Sequence, residues 1–68
     1  MRKPEIGAYY RIFKGKYTPE FVMKVLDIDG DIAYYVTMDE KSSIRTWDFV
    51  ALDGALDYKL SSLEMELL

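Results

Sequence analysis

The densest run of possible ligands and acids is Asp27-x-Asp29-Gly30-Asp31. Three carboxylates this close together offer the hard oxygen donors that calcium takes. A calcium loop of the helix–loop–helix type wants Gly at its sixth position and Glu at its twelfth. With Asp27 as the first, those positions hold Ile32 and Met38. The same residues read more simply as the tip of a β-hairpin, where Asp-Gly is a strong turn pair and the carboxylates keep the tip solvated. No metal is expected.

Catalytic groups are sparse. The chain has no His and no Cys. Ser42, Ser43, Ser61 and Ser62 fall in turn or cap contexts with no imidazole to activate them. Asp39-Glu40 lies in a polar turn, where neither acid loses enough water to shift its pKa. No phosphate loop or dinucleotide fingerprint occurs. The chain reads as non-enzymatic and as needing no cofactor.

The elements that position these residues centre on two segments, 21–28 and 32–38, either side of Asp29-Gly30. Both are rich in β-branched and aromatic residues, which marks a hairpin. Along the first, Phe21, Met23 and Val25 share one parity, and Leu26 and Ile28 the other. A β-bulge between Val25 and Leu26 reconciles the two halves. Along the second, Ile32, Tyr34, Val36 and Met38 are assigned to the core, and Ala33, Tyr35 and Thr37 to the outer face.

Before the hairpin, residues 8–13 read as a strand. Ile6, Ala8, Tyr10 and Ile12 form its core side; Tyr9, Arg11 and Phe13 form an outward strip with a cation in it. Lys14-Gly15-Lys16-Tyr17-Thr18-Pro19-Glu20 is a basic loop carrying one aromatic residue. After the hairpin, residues 44–50 read as a fourth strand, with Trp47 and Phe49 on one face and Trp47 buried. Leu56, Tyr58 and Leu60 alternate as in a short fifth strand. Ser61 and Glu64 have capping-box spacing, and Leu60, Leu63 and Leu67 recur at helical spacing, so a terminal helix could lay one face on the rest. Leu63, Met65 and Leu67 also alternate as in a strand. The expected fold is mainly β: a single domain over residues 1–68, a five-stranded SH3-like barrel with a short C-terminal helix.

Sixty-eight residues leave room for one small core, and six Tyr, three Phe and one Trp supply the area to fill it. Without cysteine there is no disulfide framework, which points to the cytoplasm for so small a domain. No run approaches a membrane span, and the first residues lack a signal peptide's apolar core. The charge is uneven. Residues 1–24 hold six Lys or Arg against two carboxylates; residues 25–68 hold three against ten. This pattern suits a two-faced surface.

Phe13-Lys14-Gly15-Lys16-Tyr17, a Val-rich strand, a Tyr-Val strand and then Trp47 near Arg45 and Phe49 resemble a small bacterial domain family of unknown function that opens with a Phe-Lys-Gly-x-x-Tyr element. The resemblance spans roughly residues 9–50. The chain also looks like short SH3-like proteins of Gram-positive bacteria and their phages. Neither resemblance implies an activity.

Clustered Tyr, Phe and Arg make up interaction hot spots, so Tyr9, Arg11, Phe13, Tyr17 and Tyr35 are the expected binding residues. The partner is expected to be a protein, a second copy of the chain included. Two alternatives remain. Arg11, Lys14, Lys16 and Tyr17 could hold a nucleic acid, although the net charge of −3 opposes it. A small acidic domain could instead occupy the nucleic-acid site of a host protein, as some phage inhibitors do.

Overall fold

Gly30 turns the chain between its two longest strands. The computed structural model describes residues 2–13, 15–16, 19–51 and 53–67. Strand β2 spans Phe21–Asp29 and β3 spans Ile32–Thr37, leaving Gly30 and Asp31 as the loop. Gly30 sits at φ +60 and Asp31 has no positive φ, the pattern of a II′ hairpin, in which Gly takes the first central position. β1 spans Tyr9–Ile12 and β4 spans Arg45–Asp48. All pairings are antiparallel and the order is β1-β2-β3-β4.

The expected bulge is present. Val25 pairs with Tyr35 but Asp27 pairs with Tyr34, so Leu26 is the extra residue. It is left exposed, while Ile28 returns to pack on the core. Leu26→Lys is therefore expected to change the unfolding free energy by no more than about 0.5 kcal/mol, and Ile28→Lys to cost more than about 1 kcal/mol. Urea unfolding of both variants checks this; equal costs would place the extra residue elsewhere.

Paired positions across a sheet share a face. The buried face carries Tyr10 and Ile12 from β1, Met23 and Val25 from β2, Ala33 and Tyr35 from β3, and Trp47 from β4. Phe49 and Leu56 complete the core. Trp47 is buried as expected, with Tyr10 and Phe49 rings 6.0 and 6.2 Å from its own. The Tyr10 hydroxyl accepts a hydrogen bond from the Glu5 N–H at 3.0 Å, so its polar end is satisfied.

The expected faces of β3 are reversed at Ile32 to Tyr35, while Val36 is buried as expected. Ala33 is fully buried and Tyr35 packs on the core, whereas Ile32 and Tyr34 lie on the opposite face. Both parities of this strand carry apolar side chains, so its own alternation does not choose between them. Pairing does: Ala33 lies between Ile28 and Trp47, where its single methyl leaves room for the indole.

The fifth strand and the closed barrel are corrected as well. Residues Asp53–Tyr58 form a 3₁₀ helix, and beyond it Lys59 makes an isolated antiparallel bridge to Tyr10. The sheet is open, with four strands. Three residues per turn cannot hold an i, i+2 set on one side, so Leu56 enters the core and Tyr58 faces out.

The terminal helix α1, Ser62–Glu66, has the expected capping box. The Ser61 Oγ accepts from the Glu64 N–H at 3.2 Å, and the Glu64 carboxylate accepts from the Ser61 N–H at 3.1 Å. Its leucines do not dock, however. Leu63 and Leu67 are 68% and 81% exposed, and only Met65 is half-buried. Five residues make less than two turns, too short to align positions i, i+3 and i+7 against a neighbour.

Candidate functional site

An open cleft of about 670 Å³ lies where the end of the β1–β2 pair meets β4 and the 3₁₀ helix. Ile12 and Phe21 face each other across the ladder, and Phe13 comes next in the chain. Tyr35 stands beside Phe21, their rings nearly parallel at 14° with centroids 6.3 Å apart. Met23 and Trp47 line the cleft from the core side, and Ala51, Gly54 and Ala55 line it from the chain that leaves β4. Aromatic walls around a small concavity suit an apolar side chain.

Phe13 is the exposed aromatic residue among those lining the cleft, at 51%. It leaves β1 after Ile12 and meets Tyr58 edge-on, with centroids 4.7 Å apart at 76°. The Arg11 guanidinium lies 5.6 Å from the centre of its ring, within cation–π range. Arg11 is also tied to Glu20, which accepts from its Nε at 2.6 Å. Both neighbours hold Phe13 in place at the cleft mouth.

The expected strip holds for Tyr9 and Arg11 and ends at Phe13, which leaves β1 and lines the cleft. Arg11 and Phe13 adjoin. Tyr9 shares with Arg11 the face of β1 that points away from the core, half-buried, with the Lys24 ammonium 5.8 Å from its ring. Tyr35, expected on the outer face, instead lines the cleft beside Phe13. Tyr17 lies outside the described residues. Phe21, Trp47 and Tyr58 were not among the expected binding residues. Phe21 shares the core parity of Met23 and Trp47 reads as core, so nothing local marks either as a cleft wall. Tyr58 reads as a strand residue and gains its place only when the 3₁₀ helix docks.

Arg2, Arg11, Arg45 and Lys59 pair with Asp57, Glu20, Glu40 and Glu5. The Glu5 carboxylate raises the Lys59 ammonium above its ordinary value of 10.5, and this pair helps fasten residues 59–60 along β1. At the hairpin, the Asp27 carboxylate accepts from the Ile28 N–H at 2.8 Å. No three acidic, His or Cys side chains among the described residues converge as a metal site would require. The cleft's one carboxylate among the described lining residues is Asp48, which accepts from the Ala51 N–H at 3.3 Å. No cation pairs with it among the described residues.

No helix among the described residues is long and apolar enough to cross a membrane. No protein-family model matches the chain, and neither the curated proteins nor the solved structures yield a significant match. Fold and cleft together define the chain as a small open-sheet β domain with an aromatic concavity.

Proposed function

We propose that this chain is a non-enzymatic protein-binding module that takes an apolar side chain of its partner into the cleft. The observation that carries this reading is the half-exposed Phe13, held between Tyr58 and Arg11 at the mouth of a cleft walled by Phe21, Tyr35 and Trp47. A large apolar side chain fixed in place but left open to water gains most when a partner covers it. Phe13 and Gly15 both lie on the wall of the cleft. The ion pairing of Arg2, Arg11, Arg45 and Lys59 weighs against a nucleic-acid partner, because a cation already matched by a carboxylate releases fewer counterions from phosphate.

The test is to pan a random-peptide display library against the immobilised full chain and titrate recovered peptides into ¹⁵N-labelled protein. Amide shifts should cluster at Ile12, Phe13, Phe21, Tyr35 and Trp47. Shifts centred on the opposite face, around Tyr9 and Lys24, would overturn the reading, as would a failure to recover any peptide.

A further inference from the structure

The two edges of the sheet are treated differently. Along β1, the Leu60 N–H donates to the Tyr9 carbonyl at 2.9 Å and Lys59 bridges to Tyr10, so that edge is partly covered. β4 is the last strand on its side, and no strand among the described residues pairs with its outer edge. Its sequence, Arg45-Thr46-Trp47-Asp48, has no proline and no bulge, two of the devices that keep an edge from pairing.

The ladder shows which backbone groups are on offer. The Met38 N–H donates to the Val22 carbonyl at 3.0 Å, which sets the phase of the β2–β3 pair. Groups alternate in direction along an antiparallel ladder. Ala33 and Tyr35 therefore direct theirs at β4, where they pair with Trp47 and Arg45. Thr46 and Asp48 are left with N–H and C=O aimed out of the sheet.

The cleft meets this edge. Trp47 lies on the core face, and Thr46 and Asp48 on the other, yet all three line the cleft. A concavity bounded by both faces of one strand reaches that strand's free edge. We infer that an extended segment of a foreign protein adds to β4 as a further strand, its backbone pairing with Thr46 and Asp48. The residue opposite Trp47 points an apolar side chain into the cleft, and its neighbour opposite Asp48 is Lys or Arg. Main-chain bonds then supply general affinity and the alternate side chains supply choice. The cation is expected from charge complementarity, since Asp48 has no cationic partner among the described residues and the chain carries a net charge of −3.

A second copy of the chain fits less well. Two copies paired antiparallel with their core faces on one side, and with outward groups opposed, centre on Thr46, Trp47 or Asp48. Asp48 of one copy then lies opposite Ile44, Thr46 or Asp48 of the other and meets no cation in any of them.

This inference rests on the module reading, and its test separates the two. Each backbone nitrogen of a recovered peptide is N-methylated in turn and the affinity for the full chain measured. Pairing with β4 predicts losses of about tenfold or more at alternate nitrogens and little change between them. It also predicts that recovered peptides share an apolar residue next to Lys or Arg. Asp48→Asn should weaken them severalfold and flatten the salt dependence, and Asp31→Asn at the hairpin tip should do neither. Shifts on the cleft with a flat methylation profile would sink the edge pairing and leave the module reading intact. Shifts absent from the cleft would sink both. Sedimentation showing a dimer with protected Thr46 amides would overturn the foreign segment in favour of a second copy.

Discussion

Phe49→Ala is expected to leave most of the chain unfolded at 25 °C. Phe49 is the largest fully buried side chain among the described residues, at 0% exposure, and lies just past β4 with its ring edge-on to Trp47 at 72°. Truncating a buried Phe costs about 3–5 kcal/mol, from lost transfer and from the cavity left behind. A core of this size seldom supplies more than about 3–5 kcal/mol in total. The two quantities are comparable, so little stability survives. Trp47 fluorescence followed through a urea titration would report it, because the indole loses its buried surroundings on unfolding. Val50→Ala, next in the chain but exposed, should move the midpoint little. A Phe49→Ala variant with a native-like transition would mean that the core does not close around this ring.

Phe13→Ser should do the reverse, keeping the fold and losing the partner. Half of the Phe13 surface is already in water, and its removal forfeits mainly the edge contact with Tyr58, on the order of 1 kcal/mol. In the proposed complex, a covered aromatic anchor of this kind is worth about 2 kcal/mol or more, roughly a thirtyfold loss in affinity. Calorimetric titration of library-derived peptides would read the affinity, and thermal unfolding followed by circular dichroism would check the fold. Phe13→Leu should recover part of the binding, since an apolar side chain returns to the cleft mouth. Unchanged affinity in Phe13→Ser would remove the cleft from the function. The two phenylalanines thus divide the roles, with Phe49 holding the fold and Phe13 reserved for the partner.

Some of this division is visible from residue order and some is not. The parity break after Val25 announces the bulge because two apolar sets on one strand must reach the same core. Trp47 and Phe49 at i and i+2 announce a shared burial. The strip of Tyr9, Arg11 and Phe13 obeys strand alternation only as far as Ile12; beyond it the chain leaves β1, and Phe13 turns toward Tyr58. Tyr35 could be placed on either face, because Tyr34 beside it is as aromatic and as amphipathic. Leu56, Tyr58 and Leu60 are too few to separate a strand from a tight helical turn.

Residue order alone determines what short-range chemistry controls. Gly30 provides the positive φ of the hairpin turn, Leu26 is extruded by parity, and Ser61 with Glu64 closes a capping box. Each depends on backbone geometry or on partners within a few residues. The tertiary structure alone decides the face of β3, the open sheet in place of a barrel, the exposure of Leu63 and Leu67, and the assembly of the cleft. Those outcomes depend on which distant side chain fills a given space. Ala33 faces inward because Trp47 and Ile28 need its small volume beside them, and Phe13, Phe21, Tyr35 and Trp47 meet only once four strands are in register.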